Sequence, residues 1–587
     1  MIKRNTVLLL LAAQLLSCFS AASQTNNIAI NQLGYYIYAP KTAVVLNTPG
    51  AKYFYVISTD KKDTAFKGSL GAEQQSEYSS TKTNIADFSG LQKAGTYTVN
   101  VPGAGTSYPF AINNNALHTV SVGLLKGFYY QRVSMPLDEK YAGKWHRPAG
   151  HPDNEVLVHP SAAGDKRPAG TVISTPGGWY DAGDYNKYVV NSGISTGTLL
   201  SAYEDFNTYF DTLNTTIPES SNHLPDILDE ALYNIRWMLT MQDPNDGGVY
   251  NKCTNAAFDG MVMPGVTKLP RYVVAKGTAA TLDFAAVMAQ ASRITKRMGK
   301  YLPGFSDSCL RAAEYAWKWA IQNPSLTYDQ NAINKQYEPK ITTGGYGDGR
   351  FGDEWFWAAC ELFITTKNHQ YFDTVNKGIN MPFSIPSWAS VHALGYYTLI
   401  RNEKDIPAYT PVDVAPVKQR LVIFADSLVA GGNKAFKTVM GQSKRDFIWG
   451  SNAVAANQGI TLINAYLISK DRKYLDASLT NLDYILGRNA TGYCFVTGFG
   501  TKSTMHPHHR QSVADGIDEP VPGLLAGGPN PGRQDHTTYT FTEPETAYND
   551  DNGAYASNEI AINWNAPAVY LANAIEALQY KAGYSKK

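Results

Sequence analysis

Charge is scarce in this chain, and what there is cancels. Only 17% of the 587 residues are Asp, Glu, Lys or Arg, and 51 basic against 50 acidic residues leave a net charge of +1. The balance gives no electrostatic argument for a nucleic-acid partner, and none is expected. Cysteine is rarer still. Cys18, Cys253, Cys309, Cys360 and Cys494 are widely spaced, with no Cys-x-x-Cys pair. That spacing argues against a zinc cage and for buried free thiols. Past the first two dozen residues, no apolar run is long enough to cross a bilayer.

The apolar run at the N-terminus is itself too short to span a bilayer as a mature helix. Lys3 and Arg4 precede an apolar run from Val7 to Leu16, the pattern of an export signal over residues 1–23. Two processing sites compete. One is the small-residue stretch Ala21-Ala22-Ser23. The other, Leu15-Leu16-Ser17-Cys18, is a loose bacterial lipoprotein box in which Cys18 would carry a lipid anchor. Either predicts an exported protein: periplasmic, anchored to the outer membrane, or secreted. What the chain has in excess is rings, with 38 Tyr and 10 Trp. They fill a large core, or they stack on flat, neutral, hydroxyl-rich ligands; composition does not decide between the two.

A chain of this length predicts a large fold with an accessory module. Residues 24–113 read as a small β-sandwich. Tyr97, Val99 and Val101 alternate with Thr96, Thr98 and Asn100, and Pro49-Gly50 and Pro102-Gly103 punctuate short strands. Over 114–587 the period becomes helical. After Pro225, residues Ile227, Leu228, Ala231, Leu232, Ile235, Met238 and Leu239 recur at helical spacing. Similar stretches lie near 117–133, 192–206, 277–295, 308–322, 353–367, 387–402, 416–431, 452–470, 473–487 and 559–582. On the order of a dozen helices joined by long loops suggest an α/α toroid with a cleft at one end. The loops 171–190, 243–272 and 488–556 are where functional residues are expected.

The tetrapeptide Asp181-Ala182-Gly183-Asp184 stands out, inside the Gly-rich, aromatic-flanked run from Gly177 to Tyr185. Gly183 lets the backbone bend so that both acids face one side. Nothing in the run looks apolar enough to be core. Neighbouring carboxylates raise one another's proton affinity, so the pair needs a metal, a water to activate, or a cation. Two distant segments complete the pattern. The first holds Val496-Thr497-Gly498-Phe499-Gly500 and Met505-His506-Pro507-His508-His509-Arg510. The second runs from Tyr548-Asn549-Asp550 through Tyr555 to Glu559 and on to Trp564-Asn565-Ala566-Pro567.

Together these segments resemble glycoside hydrolase family 9, the inverting cellulase family built on an (α/α)6 barrel. Asn31-Gln32-Leu33-Gly34-Tyr35, followed by Pro40-Lys41, resembles the immunoglobulin-like module that precedes many such barrels. The resemblance covers essentially the whole chain after the export signal. It implies a β-1,4-glucanase with Asp184 as general base, Asp181 helping to hold the water, and Glu559 as general acid. Inversion requires the two carboxyls about 6.5–9.5 Å apart, with a water between. His508 and Arg510 would bond sugar hydroxyls, and Asp550 would orient Arg510 or a hydroxyl. The competing structural reading makes Asp184 a helix cap and Glu559 a first-turn acid of the last helix.

Trp179, Tyr180, Tyr185, Trp355, Trp449, Tyr493, Tyr555 and Trp564 are candidate sugar platforms, each with core packing as the alternative. At least one of Trp355 and Trp357 is expected to face the core. The resemblance implies no organic cofactor. Relatives carry an early zinc site, but Arg132-Val133-Ser134 and Gly150-His151 stand where its cysteines are expected, so that site is expected to be absent. A helical metal spacing among His506, His508 and His509 is interrupted by Pro507. Tyr346-Gly347-Asp348-Gly349-Arg350-Phe351-Gly352-Asp353-Glu354 resembles a calcium loop with Asp348, Asp353 and Glu354 as donors. Helix capping by Asp353 is the alternative, and no downstream acid appears around Trp388-Ala389-Ser390.

The expected substrate is a β-glucan: cellulose, mixed-linkage glucan, xyloglucan or glucomannan. A soluble or pre-cut form is favoured because no carbohydrate-binding module or dockerin-like repeat is evident. Endo action is favoured, exo action stays open, and a monomer is expected. A catalytically silent glycan-binding protein and a His-based epimerase are the rival classes.

Overall fold

A computed structural model describes residues 27–410 and 412–586. The export signal, both processing sites and Cys18 lie outside the described residues.

Residues 28–112 form the expected sandwich. One sheet runs Ile28–Ala29, Thr42–Leu46, Lys82–Asp87, Gln74–Gln75. The main path of the other runs Gly34–Tyr35, Phe110–Ile112, Gly95–Val101, Tyr53–Ser58, Thr64–Ser69. The period-2 pattern turns Tyr97, Val99 and Val101 inward, onto Phe54, Val56 and Phe88. A Cβ on Gly34 would stand 2.2 Å from the Ala111 carbonyl oxygen, so only glycine admits the parallel pairing with Phe110–Ile112.

From His118 onward the chain is helical. Twelve of the described helices alternate between two layers: α1 (His118–Tyr130), α2 (Val189–Phe210), α3 (Asp226–Thr240), α4 (Thr278–Thr295), α5 (Phe305–Gln322), α6 (Gly352–Thr366), α7 (Phe372–Gly378), α8 (His392–Arg401), α9 (Ala415–Gly431), α10 (Ser451–Ser469), α11 (Arg472–Ile485) and α12 (Ile562–Leu578). The even-numbered helices pack side by side in an inner ring, and the odd-numbered ones lie outside it. Between α8 and α10 the ring is completed by a hydrogen bond between the Tyr397 and Thr461 hydroxyls, 2.9 Å. The division follows from composition. Inner α4 is Ala-rich and buried at all but one position, whereas outer α5 buries a stripe through Cys309, Ala313, Ala316 and Ala320.

The expected helix over 559–582 starts later, at Ile562, after Ala561 in extended conformation. Glu559 (φ −69°, ψ 159°) is therefore not in the first turn of this helix. Much of the aromatic excess is core: Trp179, Trp237 and Trp357 are among the largest fully buried side chains. Cys253, Cys309, Cys360 and Cys494 are buried free thiols. Among the described residues, no helix is long and apolar enough to cross a membrane.

The sandwich is joined to the barrel by its own sequence motif. Asn31 Nδ2 donates to Asp483 Oδ1 at 2.8 Å, and Gln32 Oε1 accepts from the Thr501 and Lys502 backbone N–H groups, both at 2.8 Å. The Tyr36 hydroxyl bonds Glu576 in α12. The Asp483 carboxylate also forms a buried ion pair with Arg488 at 3.2 Å.

Candidate active site

The Gly177–Tyr185 turn sits at the end of the barrel where α2 and α12 begin. Its aromatic flanks depart from expectation: Trp179, Tyr180 and Tyr185 are core. Trp179 packs on Phe128 with ring centroids 4.6 Å apart, and Tyr180 and Tyr185 pack on each other at 4.8 Å. These rings anchor the turn and offer no face to a ligand.

The two acids are held differently. Asp184 Oδ2 accepts from Asn186 Nδ2 at 2.5 Å, the Tyr188 hydroxyl at 3.0 Å and the Asn186 backbone at 3.3 Å. Among the described residues, its Oδ1 accepts none. One oxygen is anchored and the other is open, the arrangement a general base needs to orient a water. Asp181 has both oxygens engaged, Oδ1 by Asn191 at 2.6 Å and Oδ2 by Tyr346 at 2.8 Å. Burial, and then the charge of Asp184, push Asp181 up to about 8. Neither acid caps a helix; the bonds of Asp184 to Asn186 close a local turn.

Glu559 is brought to this turn by backbone pairing. Ala182 bridges Ala561, Ile562 N–H donates to Asp181 O at 2.8 Å, and Gly527 N–H donates to Glu559 O at 2.8 Å. On the other side, His508 bridges Glu559, and Arg510 N–H donates to Gly183 O at 3.1 Å. A Cβ on Gly183 would lie 2.0 Å from the His508 carbonyl oxygen, so glycine is required where these segments cross. Burial, then Asp184 and Asp181, hold the Glu559 carboxyl well above the usual carboxylate range, against the pull of Arg510 and a Gly183 backbone bond. The site thus contains an acid that keeps its proton and a carboxylate with an open oxygen, the division of labour for single-displacement hydrolysis.

Arg510 is buried. Its Nη1 donates to Gly183 O at 2.8 Å and its Nε to Asp259 O at 2.9 Å, so it braces the turn from below. His508 is half-buried, with Nδ1 bonded to Asn552 O at 2.6 Å; that nitrogen carries the proton and Nε2 is left as acceptor. The His508 ring lies 5.5 Å from Tyr555, itself 5.5 Å from Trp449, which is 41% exposed. These three rings form a strip leading away from Glu559.

Two sequence assignments are corrected. Trp564 is buried under Gly450, whose Cβ would sit 2.5 Å from the indole nitrogen, and offers no platform. Asp550 has no bond to Arg510. It accepts from the Met505 and His506 backbone N–H groups at 2.9 Å each, and from Asn558 Nδ2 at 3.2 Å, so it shapes the loop before His508. Trp357 faces the core, while Trp355 and Tyr493 are partly exposed. Ser134 accepts from Gly177 N–H at 3.0 Å and donates to His151 O at 2.9 Å. Arg132 is paired with Glu219 and Glu230.

Lys252 was not anticipated. It is fully buried and donates to Gln330 Oε1 at 2.7 Å, Thr343 Oγ1 at 2.9 Å and Gly344 O at 2.5 Å. It also lies 5.4 Å from the centroid of Tyr188, the ring whose hydroxyl holds Asp184. Burial lowers Lys252 to about 7, with Asp184 and Asp181 opposing. Reciprocally, its charge pulls Asp181 down. Lys252→Met removes that cation and raises the proton affinity of the aspartate pair. The acidic limb of kcat/KM should then move to higher pH by about half to one unit, measured as a pH–rate profile. An unmoved limb would show that the lysine only packs.

A second acidic group lies near the start of α6. Asp283 in α4 and Glu354 in α6 are fully buried, with both carboxylate oxygens of each unpartnered among the described residues; Oδ2 of Asp348 is unpartnered too. Burial, then Asp283 and Asp353, raise Glu354 to about 11. Asp353 and Asp348 each have one oxygen engaged: Asp353 Oδ2 accepts from Val391 N–H at 2.8 Å, at the start of α8, and Asp348 Oδ1 from Arg350 N–H at 2.8 Å. Among the described residues, no three His, Cys, Asp or Glu side chains form a ready-made metal cage. The acids with buried, unpartnered oxygens are Asp283, Asp348 and Glu354, all hard oxygen ligands of the kind calcium takes.

Sequence comparison finds the family described as Glycosyl hydrolase family 9 over residues 119–572, and the cellulase N-terminal ig-like domain over residues 23–106. The xyloglucan-specific endo-beta-1,4-glucanase BoGH9A of Bacteroides ovatus is 45% identical over 582 residues, 98% of each chain. Endoglucanase D of Acetivibrio thermocellus is 32% identical over 94% of this chain and 84% of its own length. A solved structure described as Bacteroides ovatus GH9 superposes with a TM-score of 0.88 at 45% identity, covering 94% of this chain and 99% of that one.

Proposed function

The chain belongs to glycoside hydrolase family 9, and from that membership we propose that it cuts β-1,4-glucosidic bonds within xyloglucan, with inversion. Asp184 activates water through its open Oδ1, and Asp181 helps hold that water. Glu559 protonates the leaving oxygen, and His508, Tyr555 and Trp449 contact the sugars. The single observation that carries the mechanism is the contrast at the turn: a carboxylate anchored through one oxygen only, beside an acid held protonated. The choice of substrate is supported by the 45% identical relative, which is a xyloglucan-specific enzyme.

Anomer-resolved NMR of the first products from xyloglucan tests this. Initial α-anomer from wild type, absent with Asp184→Ala, is the expected result. A β-anomer would overturn the single displacement, and faster release from unbranched glucan would overturn the substrate.

Calcium held by Asp283, Asp348 and Glu354 is proposed as a structural ion. It would neutralise buried carboxylates and tie α4 to the loop before α6; it takes no part in the reaction. Saturating Ca²⁺ should raise the Tm by several degrees, EDTA should reverse the gain, and Asp283→Asn should abolish it. A Tm indifferent to both additions would mean that the acids keep their protons instead.

A further inference from the structure

A pocket of about 380 Å³ opens on the seam between the sandwich and the barrel. Its lining includes Tyr108 from the sandwich and Tyr493, Lys502, Met505, His506 and Asp550 from the barrel loops. The volume is at the small end of the ~300–1,000 Å³ typical of ligand pockets. The chemistry is mixed. Two phenol rings stand with one ammonium, one carboxylate and an imidazole. The cation and the anion balance, so the site favours neither a phosphate nor a metal ion, and its polar walls do not suit a lipid chain. Rings plus balanced donors and acceptors suit a neutral polyol ring.

The pocket is built rigidly and is connected to the catalytic acid. Lys502 Nζ donates to Thr491 O at 2.7 Å and stands 4.2 Å above the Tyr493 ring. Its backbone N–H is held by Gln32 of the sandwich. Asp550 is fixed by the Met505 and His506 N–H groups and by Asn558, the residue before Glu559. His506 lies two residues before His508, so the pocket wall and the wall of the cleft are the same strip of chain.

We propose that this seam pocket binds one neutral pyranose unit of the glucan, remote from the scissile bond, with the sandwich contributing Tyr108 to substrate recognition. The inference rests on the glucanase reading above and gives the N-terminal module a binding role that its motif did not announce.

Wild type, Tyr108→Ala and Tyr108→Phe are compared on an aryl β-cellobioside, on long unbranched β-1,4-glucan oligosaccharides and on their xylosylated counterparts. Tyr108→Ala should raise KM for long substrates about two- to tenfold with kcat kept, as expected for loss of a stacking ring. Tyr108→Phe should behave as wild type, and the short aryl glycoside should be unaffected. A rise confined to xylosylated chains identifies a branch sugar; a rise on both identifies the backbone. Equal loss on the short substrate, or no change on any long one, overturns the proposal. Calorimetric titration of the same oligosaccharides into Glu559→Gln, with and without Tyr108→Ala, separates the two readings. Tyr108-dependent binding without turnover in any wild-type assay would sink the glucanase reading alone. Tyr108-independent binding would sink the pocket.

Discussion

Asp184→Ala lowers kcat on soluble β-1,4-glucan by about 10³–10⁴-fold, about 4–5.5 kcal/mol of barrier, with KM within a few-fold of wild type. The loss is the same whatever the leaving group, because the missing event is deprotonation of water. The variant keeps its fold. Asn186 loses two bonds to Oδ2 and Tyr188 one, but the turn remains held by Arg510, Ile562 and the Trp179 core contact. A second signature has a fixed sign. The Asp184 anion is among the charges that raise Glu559. Removing it lets Glu559 ionise at lower pH, so the alkaline limb of the residual activity moves toward acid. A profile whose alkaline limb stays in place would argue that Glu559 is not the acid, even if activity falls.

Glu559→Gln has the complementary signature. On unactivated glucan kcat falls by about 10³–10⁴-fold, because the leaving alkoxide has no proton donor. On aryl cellobiosides with acidic phenols the loss shrinks to about tenfold or less, since such leaving groups depart without protonation. The alkaline limb disappears from the pH–rate profile, because the group that titrated is gone. A plot of log kcat against leaving-group pKa, shallow for wild type and steep for the variant, is the decisive measurement. An epimerase working through His508 would survive this substitution with its activity intact, as would any reading in which Glu559 is only a packing residue.

The sequence discloses regular structure and contiguous chemistry well, and scattered chemistry poorly. Helix α3 was legible because its apolar residues recur on one face, and Asp181, Asp184 and Glu559 because motif residues surround each. Asp283 and Lys252 carry no motif. Each is one charged residue whose partners lie on other segments, so its role exists only after folding. For Asp283 a signal was present: an acid inside the apolar run Thr281-Leu282-Asp283-Phe284-Ala285 has to be buried. The rings misled in the other direction. Trp179 and Trp564 stand beside catalytic residues in sequence, yet α-helical packing places them behind the site. Proximity along the chain says nothing about which face a ring presents. Of the two roles open to Asp550, the one through Arg510 is not realised, because backbone N–H groups closer at hand hold its oxygens.

The Tyr36–Glu576 bond is one of several ties between the two ends of the described chain. Tyr38 N–H donates to Tyr584 O at 2.9 Å, Asn114 Nδ2 reaches Lys586 O at 3.3 Å, and α1 packs on α12. Until α12 is in place the barrel is an open horseshoe, with apolar edges at α2 and α10. Placing α12 between those edges closes the ring, completes the core and adds the Tyr36–Glu576 tie to the sandwich. A circular permutant joined across these ends and opened at a surface loop preserves that event and should stay active. A chain cut before α12 forfeits that closure.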